Sequence, residues 1–236
     1  MNRIAQVTRL HLNKWQTFVL TPIGILAIVI FVSIVIQLAI QRAGVDVASA
    51  DYQEGARFNS SVAWALPGFL VYYGVQAVAT TYPFALALGT TRRNFILGTL
   101  ISNAIFAAYA AVLMLALLGV ELVTGHWFMG AHIFDVVVLG NGNPLILLPT
   151  AFVGVLLCLM IGGLFGAIWV RFGAKGPLFL GVALGLALAI LVLIIAPNLV
   201  EIVSGITRAG LGIAALVAIV LAMAGTWFAM RRASVR

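Results

Sequence analysis

Few side chains in this sequence could do chemistry. Two histidines and a carboxylate, His126, His132 and Asp135, fall close together. Imidazole and carboxylate are ligands for zinc and its neighbours, and His132 and Asp135 are spaced by one helical turn. A metal site wants three or four converging ligands backed by further hydrogen bonds. These three are loosely spaced among Trp127, Phe128, Ile133 and Phe134, so no metal is expected. Catalytic patterns are missing as well. There is no GxxxxGK[ST] phosphate loop, so the chain does not hydrolyse ATP by that route, and there is no HExxH. No serine nucleophile is paired with a histidine inside an apolar run, which argues against an intramembrane protease. The single cysteine, Cys158, lies in an apolar run and cannot form an intrachain disulfide. The expectation is a protein that is not an enzyme and holds no cofactor of its own.

Uncharged polar residues recur inside the apolar runs. Tyr72, Gln76 and Thr80 come every four residues and share one helical face; Ser33 and Gln37 do the same; Thr99, Ser102 and Asn103 cluster. Ser33, Gln37, Tyr72, Gln76, Thr80 and Asn103 could line a polar path. They could equally bond between helices, at about 0.6 kcal/mol each. Small residues also repeat at helical spacing: Gly154, Cys158, Gly162 and Gly166; Gly181, Gly185 and Ala189; Gly210, Ala214, Ala218 and Ala222. Such faces let helix backbones approach closely and read as packing surfaces, within a bundle or between protomers.

The elements that carry these residues are set by composition. The chain is 64% hydrophobic and 8% charged, against about 25% charged in soluble domains. Its apolar runs exceed the length a spanning helix needs and lack the short alternating segments of a barrel. The expected fold is all-α: a polytopic membrane protein whose 236 residues form a single transmembrane domain. Six spans are placed at 18–40, 62–88, 96–124, 144–170, 177–196 and 209–230. Pro67 and Pro83 are the expected kink sites of the second. The first run is too long for a cleavable signal and is read as a permanent span. Residues 2–15 gather Asn2, Gln6, Arg9 and Asn13 on one side and Ile4, Val7 and Trp15 on the other, with Thr8 and His11, which predicts an amphipathic helix lying in the membrane interface. Between spans, 41–61 is polar, the aromatic 125–143 is expected to lie along the outer interface, and 197–208 has room for one amphipathic turn or a short re-entrant piece.

Charge then orients the chain. With both termini cytosolic, Arg3, Arg9, Lys14, Arg92, Arg93, Arg171, Lys175, Arg231, Arg232 and Arg236 lie inside, ten of the thirteen basic residues. Only Arg42, Arg57 and Arg208 lie outside, and the acids Asp46, Asp51, Glu54, Glu121, Asp135 and Glu201 fall outside or at the outer edge. Every loop obeys the positive-inside rule. The net charge of +7 is therefore split among short loops, and no nucleic-acid partner is expected. No charged residue sits near the centre of a span, whereas ion-coupled carriers usually hold one there. Energy from outside the bilayer is the simpler expectation.

One short basic turn stands between two long apolar runs: Gly89-Thr90-Thr91-Arg92-Arg93-Asn94-Phe95. With the residues before it, Pro83-Phe84-Ala85-Leu86-Ala87-Leu88, it resembles the P-x-A-L-x-L-G-x-[TS]-R-x-x-[FY] run of small bacterial ABC-2 type permeases. The resemblance covers essentially the whole chain: interfacial N-terminal helix, six spans, both termini inside. It implies a membrane-spanning subunit of an ATP-binding cassette exporter in the bacterial cytoplasmic membrane, with ATP bound by two copies of a separate ATPase subunit. It also implies pairing with a second six-span permease, as a homo- or heterodimer. In that family the turn docks on the ATPase, so Gly89, Thr90, Thr91, Arg92, Arg93 and Phe95 would form the coupling site here. The apolar, glycine-rich interior suggests an amphipathic or hydrophobic cargo. The last outer connection is shorter than the re-entrant region of polysaccharide and sterol exporters, so their substrates are not carried over. Two other readings of the same residues are an ion-coupled secondary transporter or channel, and a non-transporting membrane scaffold or immunity protein.

Overall fold

The computed structural model describes residues 3–231; Asn2, Arg232 and Arg236 lie outside them. All its regular elements are helical, with no strand among the described residues. Six stretches are long and apolar enough to cross a membrane: Gln16–Arg42, Ala50–Ala87, Arg92–Val123, Pro144–Phe172, Lys175–Asn198 and Arg208–Arg231. They coincide with the six apolar runs, because a segment surrounded by lipid must satisfy its own backbone hydrogen bonds and helix is the local way to do so.

The chain opens on α1, Arg3–Leu12, whose Val7, Thr8 and His11 are buried while Arg3, Gln6 and Arg9 are exposed. Trp15, placed with Ile4 and Val7 on the apolar side, follows the end of this helix and is exposed. A π-helical turn at Gln16–Leu20 leads into α2, Thr21–Arg42. The second stretch is a series of pieces: α3 (Ala50–Ala56), α4 (Ser61–Ala65), α5 (Pro67–Ala79) and α6 (Thr81–Ala87). Pro67 has no N–H for the carbonyl of Ala63, and Pro83 none for Ala79. The helix stops just before the first proline and is interrupted at Thr80, ahead of the second. The polar α3 belongs to the connection between the first two apolar helices, and Ser49 caps it by accepting the Tyr52 N–H at 3.4 Å.

The remaining spans are less broken. Helix α7 covers Arg92–Val123 and α8 Pro144–Phe172. Helix α9 covers Lys175–Ile195 and has no buried residue. A 3₁₀ turn and the short α10, Leu199–Ser204, lead to α11, Arg208–Arg231.

By packing, the chain forms two compact units. One comprises residues up to Val7, Val71–Leu100 and Leu157–Arg236. Its tightest crossing is between α5 and α8. A Cβ on Gly74 would collide with the Leu159 carbonyl and one on Gly162 with the Val71 carbonyl, so the two backbones touch with nothing between them. Helix α1 approaches α7 in the same way: a Cβ on Gly98 would lie 2.6 Å from Val7 Cβ. The other unit comprises Thr8–Leu70 and Ile101–Leu156. At its centre Phe18 meets Phe106 edge-on at 4.9 Å and stacks on Tyr109 at 5.6 Å, while the Tyr109 hydroxyl donates to the Val19 carbonyl at 3.0 Å.

The connection from α7 to α8 is more closely packed than its aromatic composition suggested. Ala131, His132, Ile133, Phe134, Asp135 and Val136 are all buried, and only scattered residues such as Phe128 and Val138 project. The six-residue buried stretch is too short to span and is held against the chain by polar anchors, the N–H groups of residues 133–135 bonding to Glu121.

Candidate functional site

The basic turn is built from both sides. Gly89 ends α6 with φ +76°, a left-handed value that glycine adopts without steric cost. Thr91 opens α7, its hydroxyl accepting the Asn94 N–H at 3.3 Å. Arg3 of α1 donates to the Gly89 carbonyl at 2.6 Å. Arg92 donates to the Arg231 carbonyl at 2.6 Å, covering the end of α11, where helix carbonyls have no partner of their own. Arg171, at the end of α8, donates to the Phe228 carbonyl at 3.4 Å. Arg3, Arg92, Arg171 and Arg231 are thus gathered at one end of this unit, with Arg93 beside them. Thr91, Arg92 and Arg93 are exposed and Thr90 half-buried. Phe95 is fully buried, packed edge-on against Tyr82 at 5.1 Å. It fixes the turn from beneath and offers a partner no surface.

In the same unit Tyr72, Gln76 and Thr80 form a continuous polar strip along α5. Gln76 donates to the Tyr72 hydroxyl at 3.1 Å, and the Thr80 hydroxyl donates to the Gln76 carbonyl at 2.7 Å. Tyr72 is 59% exposed. The strip therefore faces outward from the chain in the middle of a membrane-length stretch.

The other candidate path residues lie in the second unit and separate from one another. Ser33 and Gln37 line a cavity of about 410 Å³, together with Tyr52, Asn59 and His132. Gln37 is also a clamp: its amide donates to the Met129 carbonyl at 3.1 Å, and its oxygen accepts from the Tyr52 hydroxyl at 2.6 Å. Gln41 holds the same Met129 carbonyl at 3.0 Å. Asn103 is buried, with neighbouring Ser102, and lines no part of that cavity.

A polar centre in this unit was not legible as such from the sequence. Glu121, near the end of α7, is fully buried. Its carboxylate accepts the backbone N–H groups of Ile133 and Asp135 at 3.1 Å, that of Phe134 at 2.7 Å, and the Trp127 indole N–H at 3.2 Å. Four donors satisfy its two oxygens, as a buried polar group requires. Close by, Asp135 Oδ2 lies 3.1 Å from His126 Nε2, 3.3 Å from His132 Nδ1 and 3.3 Å from the Arg57 guanidinium. The two imidazole rings are 4.1 Å apart. Burial, ahead of the neighbouring His126, pushes His132 below the usual histidine value. Asn59 donates to the His132 carbonyl at 3.1 Å, and the Arg57 carbonyl accepts the Val137 N–H at 2.8 Å, so α3 and its flank hold the segment from the other side. The one available signal was that Glu121 is the sole acid in its apolar run.

Comparison with known proteins finds no matching family model, no matching curated protein and no matching solved structure.

Proposed function

We propose that this chain is the membrane-spanning permease subunit of an ATP-binding cassette exporter of the ABC-2 type, working in the bacterial cytoplasmic membrane with both termini inside. The observation that carries the reading is the exposed basic turn at Thr90–Arg93, bound to α1 through Arg3 and to the end of α11 through Arg92. A separate ATPase subunit, present in two copies, docks on Thr90, Thr91, Arg92 and Arg93, with Gly89 and Phe95 shaping and anchoring that turn. When ATP closes the ATPases, the turn is pushed, and the helices fastened to it move as rigid levers. A second six-span subunit, identical or related, packs alongside. The strip of Tyr72, Gln76 and Thr80 then faces a path between the two subunits, and an amphipathic or hydrophobic substrate leaves along it. The inside concentration of arginine and the lack of a charge at span centres support an engine outside the bilayer.

The test is purification of the chain from its native host in mild detergent, with co-purifying proteins identified by mass spectrometry. The reading expects a stoichiometric partner carrying a phosphate loop. Arg93→Glu, at an exposed position, should reduce that partner roughly tenfold or more, as charge reversal at the centre of a docking surface does, and leave the thermal midpoint of the chain unchanged. A chain that purifies without an ATPase, or one that keeps its partner fully in Arg93→Glu and in Arg92→Ala with Arg93→Ala, would overturn it.

A further inference from the structure

The cluster beside Glu121 holds more polar chemistry than its hydrogen bonds consume. His132 and Asp135 are each at least 95% buried. His132 Nδ1 and Asp135 Oδ1 nevertheless make no hydrogen bond. A buried polar atom without a hydrogen bond costs about 1–3 kcal/mol, and a bound ion is one of the ways such a cost is met. The Oδ2 atom, meanwhile, has three nitrogens around it, from His126, His132 and Arg57.

Two separations in the cluster match those around a cation. Tetrahedral zinc binds imidazole nitrogen and carboxylate oxygen at about 2.0–2.1 Å, which sets the ligand atoms about 3.3 Å apart along the edges of the tetrahedron. The two imidazole nitrogens lie 3.1 and 3.3 Å from Asp135 Oδ2. Glu121, His126 and His132 also have ligand-type atoms within 4.8 Å of one another. Glu121 is the weaker ligand of the group, because its oxygens already accept four N–H donors. Its part is to fix the backbone of residues 133–135, and so to aim His132 and Asp135.

We propose that His126 Nε2, His132 Nδ1 and the Asp135 carboxylate form a binding site for a divalent transition-metal ion of zinc's class, with Glu121 as its positioning residue. Two imidazoles and one carboxylate are the donor set that zinc accepts, with a fourth position left for water. The ion has a way in. The His126 side chain is 26% exposed and that of Arg57 46%, so the guanidinium can withdraw as the cation enters. Gly142 closes the other side; a Cβ there would stand 2.9 Å from Asp135 Oδ1. The bound ion would clip the α7–α8 connection onto itself. This site stands apart from the transport reading and does not depend on it.

The test uses the full chain in detergent, freed of any histidine tag, stripped with chelator and titrated with zinc chloride. Metal content after gel filtration and calorimetry give stoichiometry and affinity, and cobalt chloride gives a visible spectrum that reports tetrahedral nitrogen and oxygen ligation. One saturable zinc per chain is expected, with a rise in thermal midpoint on loading. His126→Ala, at the more open edge of the site, should weaken binding at least tenfold, and Glu121→Gln by about 10–100-fold, as loss of a supporting hydrogen-bond partner does. If His132→Ala or Asp135→Ala fails to fold, His126→Ala still decides the matter. No saturable uptake, or uptake unchanged in His126→Ala, where His11 and His132 are the histidines left, would overturn the proposal.

Discussion

At the scale of single residues, the strongest determinant is a carboxylate in an unfavourable place. Helix α7 begins at Arg92 and Arg93 and carries Glu121 near its end, the reverse of what the helix dipole prefers. The four N–H donors around Glu121 offset that penalty. Glu121→Ala would leave three backbone N–H groups and the Trp127 indole without their acceptor. The expected result is a loss on the order of 3 kcal/mol or more, read as a lower thermal midpoint and faster amide exchange across residues 131–136. A second prediction concerns His11. Burial first, and Lys14 second, push it down to about 4, against an ordinary value of 6.5. The unfolded chain therefore takes up this proton more readily than the folded one. Stability from this residue is complete above about pH 6.5 and is lost as pH falls from there toward 4, by up to about 3 kcal/mol. Thermal unfolding at pH 7.5 and pH 5 should differ in the native chain, and the difference should shrink in His11→Gln.

At the scale of elements, much was legible and the failures share a cause. The six apolar runs, the breaks at Pro67 and Pro83 and the short helical piece after Pro197 follow from hydropathy and from proline's missing N–H, which are local properties. Of the face Gly154, Cys158, Gly162 and Gly166, the last two glycines pack against Val71, Gly74 and Val75, while Gly154 meets nothing within 4 Å. The faces of Gly181 and Gly185 meet nothing within 4 Å in the chain, since spacing shows that a face can pack and not what packs on it. The burial of the α7–α8 connection was not legible because it depends on Glu121, which accepts the N–H groups of residues 133–135, and on Gln37, which donates to the Met129 carbonyl, and no local pattern announces either. Phe95 was grouped with the exposed turn for the same reason: its place is set by Tyr82. Helix docking by close approach gives a further test. Gly98→Leu, whose side chain would start 2.6 Å from Val7 Cβ, should push α1 off α7. Protease sensitivity of residues 3–12 should rise, while the spans stay folded by circular dichroism.

At the scale of the molecule, the polar strip on α5 and the bare α9 are surfaces that one copy of the chain does not cover. In the transport reading the strip is shared with a second permease. Gln76→Leu would then cut transport several-fold, as loss of a polar contact of roughly 1 kcal/mol does, without changing how much ATPase co-purifies. Equal losses of both would mean that the strip serves assembly instead of passage.

The bareness of α9 also bears on how the chain enters the membrane. A segment with no buried residue needs no neighbour to remain in lipid, so it can leave the translocation machinery alone. The second stretch cannot do so as easily: it is broken at two prolines, and the carbonyls those prolines leave free need company in the bilayer. Its insertion is helped by the helices that follow, of which α8 closes backbone to backbone on its Gly74 face. Fused singly between reporter segments, residues 175–198 should insert nearly completely and residues 61–87 only in part, with the deficit recovered when the two following helices are added.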